Sequence, residues 1–225
     1  MNTLLANQFY LPIEFDLGAT FLFALTGAWV AIQRDYDFIG VFTLALVTGV
    51  GGGLIRDSIF IQQGAPASMQ DARYIWAVLA ATVLGALTFP LARRFDRLVA
   101  AVDALGLGAY AVVGVQKALA AGLSPTVSIL VGVVNATGGG LIRDLLVREE
   151  PLFFKPGQYY VLAALAGCIM FLVLPQYLQL SVQSAAWLTI AAVFLFRMLA
   201  IQFNWRTAPM QHWGRRRLPR DEEKK

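Results

Sequence analysis

The sequence has very few of the residues on which disulfide-bonded domains and most metalloenzymes depend. It contains one cysteine, Cys168, and one histidine, His212, among 225 residues. A single cysteine excludes a disulfide framework within the chain, and a lone histidine near the C-terminus argues against a histidine-based metal or catalytic centre. Only 14 % of the residues are charged and 58 % are hydrophobic, whereas about a quarter are charged in an ordinary soluble domain. This composition excludes an ordinary soluble fold.

Long apolar segments take the place of polar surface. There are seven of them, at about 15–33, 38–55, 74–91, 102–121, 125–142, 158–174 and 185–203. Most approach the ~20 residues that an α-helix needs to cross a ~30 Å hydrocarbon core. The sequence therefore predicts an all-α polytopic membrane protein with seven transmembrane helices. No basic region precedes the first segment, so we do not expect it to be a cleaved signal peptide.

The positions of lysine and arginine predict the orientation in the membrane. If the N-terminus is outside, the cytoplasmic side carries most of the basic residues, namely Arg34, Arg93, Arg94, Arg97, Arg143, Arg148, Lys155, Arg206, Arg215, Arg216, Arg217, Arg220, Lys224 and Lys225. Arg56 and Arg73 are then outside. The positive-inside rule thus predicts an external N-terminus and a cytoplasmic C-terminus. This reading explains the net charge of +4 without any nucleic-acid partner.

The heptapeptide GGGLIRD occurs twice, at 51–57 and at 138–144. At the same offset of 87 residues, 16–57 aligns with 103–144 without a gap. Each unit holds three spans, an odd number, so the second unit enters the membrane from the opposite side. We predict two inverted three-helix repeats at 14–97 and 98–178, a seventh helix at 183–205 and a basic cytoplasmic tail at 206–225.

The glycine triplets predict a feature of spans two and five. Each glycine costs a helix about 1 kcal/mol relative to alanine, so three in succession should unwind or kink the span. Backbone carbonyls freed in lipid need a partner, and carbonyls that line a watery path bind monovalent cations. The predicted cation-coordinating backbone, the only metal site expected, is Gly51, Gly52, Gly53, Gly138, Gly139 and Gly140. Thr48, Asn135 and Thr137 would add side-chain oxygens to this path. The alternative is that the glycines allow close helix packing.

Ionisable residues in the spans are further candidates. Asp16 and Asp103 are predicted at the starts of spans one and four, either to concentrate cations at the two mouths of a path or to cap their helices. Lys117, near the outer end of span four, is expected either to sense voltage and obstruct a pore or to reach the headgroups. Arg197 is expected to do the latter or to pair with a carboxylate. The two Arg-Asp pairs of the motif are expected to pair locally or to bond across the repeat interface.

Two tandem three-span units with GGGLIRD on spans two and five, followed by a seventh helix, resemble the trimeric intracellular cation channels in their prokaryotic branch. The resemblance covers residues 15–205. It implies a symmetric trimer in a prokaryotic cytoplasmic membrane, with one K⁺- and Na⁺-conducting pore per protomer along spans two and five and a gating role for Lys117. The phosphoinositide site of the animal members is not carried over, because glycines stand where those members have Lys-Glu-Val-type sequences. The same repeat unit also resembles the bacterial inner-membrane domain described as a glycine transporter.

The predicted function is therefore passive conduction of K⁺ or Na⁺, with no cofactor besides the permeant ion and with membrane lipids and further copies of the chain as partners. The alternative is a secondary transporter of a small amino acid such as glycine. Such a transporter commonly has a coupling carboxylate at mid-membrane, and no acidic residue lies at mid-span here, which favours the channel. No nucleophile–base pair or buried carboxylate dyad points to an enzyme.

Overall fold

The computed structural model of the chain describes residues 10–94, 96–154 and 159–205, and all regular structure in these ranges is helical. The long helices are α1 (Glu14–Gln33), α2 (Phe38–Ile55), α3 (Arg73–Arg94), α4 (Asp96–Ala120), α5 (Pro125–Leu146), α6 (Tyr160–Leu178) and α7 (Val182–Gln202). Helix α2 continues as a π-helix over Arg56–Ile61, and a one-turn helix follows at Ala67–Gln70. Seven helices here are long and apolar enough to cross a membrane, which confirms the predicted fold class. The predicted tail at 206–225, and Lys155, lie outside the described residues.

Three of the helices begin at side-chain caps that the sequence carries. The Asp37 carboxylate accepts the Gly40 N–H at 2.8 Å, and Ser124 and Ser181 occupy the equivalent position before α5 and α7. Such caps satisfy backbone donors that have no partner inside the helix. Before α3, the Asp71 carboxylate accepts the backbone N–H of Arg73 at 2.9 Å. Hydrogen bonds from Arg73 lower the pKa of this surface carboxyl.

The capping role considered for Asp103 is wrong, and Asp16 makes no side-chain cap although it lies at the positive end of its helix dipole. Helix α4 begins at Asp96, ahead of the predicted repeat boundary at 97/98, so Asp103 lies two turns inside the helix. Asp16 lies in the first turn of α1, but the N-cap position is Ile13, which makes no side-chain cap. Both carboxylates are buried and contact other side chains.

The helices pack in a two-fold pattern. Within each three-helix unit, every helix contacts the other two, and the units meet through α1 against α4 and α2 against α5. Asp16 near the start of α1 pairs with Lys117 near the end of α4, so these two helices are antiparallel and the units are inverted. Helix α7 has no counterpart in the repeat and packs on α4 and α6. We call the two ends of this bundle the Asp16 end and the Asp103 end.

Neither glycine triplet unwinds its helix. Regular α-helix continues through both triplets, so the local unwinding predicted from helix propensity is wrong, while the alternative, a kink within a continuous helix, stays a prediction. The carbonyls of Gly52 and Gly53 accept the backbone N–H of Arg56. In lipid, an unwound turn would expose backbone groups that each cost several kcal/mol, and this exceeds the propensity penalty of the glycines. The irregular turn is the π-helix that follows the first motif.

Candidate functional site

The two glycine triplets lie against each other where α2 crosses α5. A Cβ on Gly52 would collide with the backbone oxygen of Asn135, and a Cβ on Gly139 would collide with that of Thr48. These two contacts are the same contact in the two repeats, because Gly52 aligns with Gly139 and Thr48 with Asn135. The crossing therefore lies on the two-fold axis that relates the units. All six glycines are buried, and the packing role considered for them is what the structure shows.

The flanking isoleucines of the motifs complete this crossing. A Cβ on Gly51 would lie 2.9 Å from Cδ1 of Ile142, and one on Gly138 would lie 3.2 Å from Cδ1 of Ile55. Each motif thus covers the first glycine of the other with its own isoleucine. In this conformation the crossing is tightly packed.

The predicted polar side chains of the path are buried at the crossing but have protein partners. Thr48 donates to the carbonyl of Leu44 at 2.6 Å, and Thr137 donates to that of Val133 at 2.8 Å. Both threonines thus bond to their own helix. Asn135 instead connects two helices, since its Nδ2 donates to the carbonyl of Tyr110 at 2.7 Å.

At the Asp16 end, one buried carboxylate collects donors from three other helices. Asp16 Oδ2 accepts hydrogen bonds from the Tyr74 hydroxyl at 2.6 Å and the Lys117 ammonium at 2.5 Å. The guanidinium of Arg56, which is 1 % exposed, lies 3.7 Å from the same oxygen. Arg56 also donates to Asp57 at 2.6 Å and to Asn135 at 3.2 Å. We call Asp16, Arg56, Asp57, Tyr74 and Lys117 the Asp16 cluster.

At the Asp103 end, the second repeat places the arginine of its motif next to two carboxylates, as the first repeat does. Arg143 donates to Asp144 at 2.9 Å and reaches Asp103 at 3.5 Å. Arg143 also donates to the Thr26 hydroxyl of α1 at 3.1 Å. The Asp103 cluster consists of Asp103, Arg143, Asp144, Tyr160 and Arg197, and all five are buried.

The aspartate of each motif holds the segment that follows its helix. Asp57 Oδ2 accepts the backbone N–H of Ala67 at 3.1 Å, and Asp144 Oδ2 is 3.4 Å from that of Leu152. Ala67 and Leu152 each follow a proline, Pro66 and Pro151, and these two prolines align when the second unit is taken to be shorter by two residues after its motif. Each motif arginine pairs with its neighbouring aspartate. Each also bonds a side chain of the other repeat, Arg56 to Asn135 and Arg143 to Thr26, so both arrangements that were expected for the Arg-Asp pairs occur.

Lys117 is the most exposed member of its cluster. Its side chain is 26 % exposed, against 4 % for the Asp16 side chain that it contacts. It lines an open cavity of about 240 Å³, together with Asp57 and the loop that includes Gln63 and Gly64. The ammonium thus lies between a buried carboxylate and a cavity into which it can move.

Three tyrosines contribute to the site, and the sequence analysis did not predict a role for them. Tyr74, Tyr110 and Tyr160 sit in apolar spans where tyrosine is compatible with ordinary packing. Yet the Tyr110 hydroxyl donates to the carbonyl of Gly49 and lies 2.7 Å from the Thr20 hydroxyl. Tyr110 aligns with Phe23 in the first repeat, and the two rings pack at a centroid distance of 5.3 Å. The repeat alignment is the signal that could have selected Tyr110.

These features define a class of protein: a seven-helix membrane protein made of two inverted three-helix units, with a buried ion cluster at each end. The sequence model of the family described as "Glycine transporter" matches the chain twice, at residues 14–90 and 100–176. The two matched segments correspond to the two units.

Curated relatives and solved structures agree with that class. A "UPF0126 membrane protein" from Deinococcus radiodurans is 32 % identical over 206 residues, which is 91 % of each chain. The "UPF0126 inner membrane protein YadS" of Escherichia coli is 31 % identical over 84 % of this chain and 91 % of the relative. A TRIC trimeric intracellular cation channel orthologue from Rhodobacter sphaeroides superposes with a TM-score of 0.76 at 34 % identity, covering 85 % of this chain and 97 % of the other. A prokaryotic TRIC channel in 0.5 M KCl superposes with a TM-score of 0.74 at 26 % identity, over 85 % and 96 %.

The chain belongs to the UPF0126 membrane-protein family, the family whose repeat model is described as a glycine transporter. Its fold is that of the prokaryotic TRIC channels, as the sequence resemblance predicted.

Proposed function

We propose that the protein is a passive channel for monovalent cations, K⁺ and Na⁺, with one path inside each protomer. The observation that carries the proposal is the ion pair between Asp16 and Lys117, in which Lys117 also lines the open cavity. A carboxylate buried at each end of the bundle favours a cation as the permeant species. The proposal is also supported by the likeness to solved TRIC channels.

In this proposal the described conformation is closed. Lys117 occupies the carboxylate of Asp16, and the α2–α5 crossing leaves the glycines in contact with the opposite backbone. Opening requires that the ammonium leaves Asp16 and that the two triplets separate, which frees the carbonyls of Thr48 and Asn135 to face an ion. The absence of side chains on the triplets keeps that separation small.

We further propose an external N-terminus, so that the Asp16 end faces outward. Lys117 then moves toward the outside when it leaves Asp16. One charge that crosses the whole membrane potential changes energy by about 2.3 kcal/mol per 100 mV, so even a partial movement makes opening voltage-dependent. A homotrimer in the prokaryotic cytoplasmic membrane, surrounded by lipid and with no nucleic-acid partner, completes the proposal.

The test is single-channel recording of purified protein in planar bilayers under a KCl gradient. We expect discrete openings that reverse near the potassium potential. Lys117→Gln removes the cation from Asp16 and should raise the open probability several-fold with a weaker voltage dependence. Lys117→Arg keeps the charge and is the matched control, with gating close to that of the wild type. A folded Lys117→Gln protein that gates like the wild type would contradict the role of Lys117 but not conduction itself.

The second candidate is a secondary transporter of a small amino acid. It is favoured by the family description and by the cavity, where the ammonium of Lys117 and the carboxylate of Asp57 face the same space and suit the two charges of a zwitterion. Liposomes that contain the protein and accumulate labelled glycine, while bilayers stay silent, would favour this candidate over the channel.

A further inference from the structure

The two ion clusters differ in which helix supplies their second cation. In the Asp16 cluster, two carboxylates face Arg56 and Lys117, so the formal charges cancel. In the Asp103 cluster, Asp103 and Asp144 again face one arginine of the motif, Arg143. Buried charges without a partner are strongly destabilising, so a second cation is needed at this end as well.

The repeat does not supply that cation. Lys117 aligns at the common offset with Val30, which lies near the end of α1 as Lys117 lies near the end of α4. Val30 is half-buried, as is Lys117. The position that should hold the second positive charge of the Asp103 cluster therefore holds a valine.

The seventh helix provides the missing charge. Arg197 of α7 is 3 % exposed and interacts electrostatically with Asp103. Its guanidinium lies 4.9 Å from the centre of the Tyr160 ring. With Arg197 included, two carboxylates and two cations give the Asp103 cluster a formal charge of zero. The second cation thus comes from α7, the helix outside the repeat.

The Asp103 cluster is also less completely bonded than its counterpart. Among the described residues, Asp103 Oδ2 and the Tyr160 hydroxyl are buried and have no hydrogen-bond partner. At the other end of the bundle, the Tyr74 hydroxyl donates to Asp16 Oδ2 at 2.6 Å. The described conformation is therefore held by direct hydrogen bonds to the central carboxylate oxygen at the Asp16 end, whereas the Asp103 end has two buried polar atoms without such bonds.

We propose that Arg197 is the positioning charge of a second gate at the Asp103 end, equivalent to Lys117 at the Asp16 end and supplied by α7 in place of the repeat. This inference rests on the proposed channel function. Arg197 acts through Asp103. In the described conformation its guanidinium lies over Tyr160, which leaves Asp103 available to a permeant cation while the Asp16 end is closed by Lys117; when the guanidinium turns to bond Asp103, this end closes as well. The two gating charges lie near opposite faces, since Asp103 and Lys117 are about 21 Å apart along α4.

The first test is independent of conduction. Arg197→Gln leaves the carboxylates in excess and should lower the midpoint of thermal unfolding in detergent by roughly 5 °C, the size of shift expected from losing part of a buried ion pair. Adding Val30→Lys to that variant places an ammonium at the repeat equivalent of Lys117 and should restore most of the loss. Val30→Lys in the wild-type background is the control and should lower the midpoint, because it adds a charge to a balanced cluster. If Val30→Lys fails to rescue Arg197→Gln, the assignment of Arg197 as the substitute charge is overturned.

The second test records gating at both polarities. Lys117→Gln should raise the open probability mainly at one polarity, and Arg197→Gln should raise it mainly at the other, since the two charges lie near opposite faces and the membrane potential drives them in opposite directions relative to their carboxylates. Arg197→Lys keeps a cation and should behave like the wild type, which a purely packing role for the arginine would not predict. A folded Arg197→Gln protein with wild-type gating at both polarities would overturn the gate. Silent wild-type bilayers would instead overturn the channel function, and the rescue of unfolding by Val30→Lys would still stand or fail by itself.

Discussion

Some single residues in the apolar spans connect several helices, although their residue type is also compatible with ordinary packing. Tyr110 is the clearest case, since it is 1 % exposed and its hydroxyl contacts α1 and α2 from its place on α4. The contact with Thr20 connects α4 to α1, and the contact with the Gly49 carbonyl connects it to α2 just before the glycine triplet. One hydroxyl therefore fixes three helices next to the crossing.

Tyr110→Phe should lower the free energy of unfolding by about 1 kcal/mol, the net value of a hydrogen bond lost with little change in shape. The measurement is thermal or denaturant unfolding in detergent. Tyr177→Phe is the matched control, because Tyr177 is 77 % exposed and should show no change. Equal losses in the two variants would contradict the role given to the Tyr110 hydroxyl.

The buried charges could be selected from the sequence, but their partners could not. The Arg-Asp pairs of the two motifs and the candidates Asp16, Asp103 and Lys117 are visible in the sequence because charges are rare in lipid. Their partners are not visible, since Asp16 meets Lys117 from the far end of another helix. Arg197 was expected to reach the headgroups or to pair with a carboxylate. The packing of α7 against α4 and α6 buries it instead, with its guanidinium 4.9 Å from the centre of the Tyr160 ring.

Helices α2 and α5 show how tertiary contacts override local propensity. Three successive glycines destabilise an isolated helix, yet both triplets stay helical because their bare faces let the two backbones touch. Length and hydropathy were sufficient to predict the seven spans, and the repeat was sufficient to predict the inverted units. The crossing at the triplets was not predictable, because it depends on which face of each helix meets the other unit.

The crossing predicts different tolerances within one triplet. Gly52→Ala would place a methyl group against the backbone of Asn135, and overpacking of this kind costs about 1–3 kcal/mol. Gly53→Ala is the matched control, since its nearest neighbour, Nη2 of Arg56, lies at an ordinary 3.5 Å. That variant should be neutral or slightly stabilising through helix propensity. Unfolding of the two variants in detergent checks the difference, and equal stability would contradict the backbone contact.

At the scale of the whole molecule, the inverted units allow the orientation of the protein in the membrane to be read from two of its loops. The loop after the first motif and the loop after the second lie at opposite ends of the bundle, since α2 and α5 run in opposite directions. Gln63 and Glu150 are exposed in these two loops. They therefore report on the two sides of the membrane.

With the N-terminus outside, Gln63→Cys should react with a membrane-impermeant maleimide in intact spheroplasts, and Glu150→Cys should react only after permeabilisation. The wild type is the unlabelled control, because its one cysteine, Cys168, is fully buried. The reverse pattern would place the Asp103 end outside and would reverse the direction of both proposed gating charges.

Assembly is the remaining property of the whole molecule. We expect native mass spectrometry in mild detergent to give three times the chain mass of 24.6 kDa, and cross-linking in membranes to stop at a trimer. A stable monomer or dimer by both methods would contradict the trimer. It would leave conduction through each protomer untouched, because both ion clusters are built within one chain.

The symmetric contact between Gly52 and the backbone of Asn135, and between Gly139 and that of Thr48, has an evolutionary consequence. It is an isologous interface, in which the same patch serves on both partners, although here both patches lie in one polypeptide. A free three-helix unit would already carry the whole surface needed to pair with an inverted copy of itself. The present chain has the arrangement that the fusion of two such units would give, and fusion lets the two halves carry different residues at equivalent positions, as Val30 and Lys117 do.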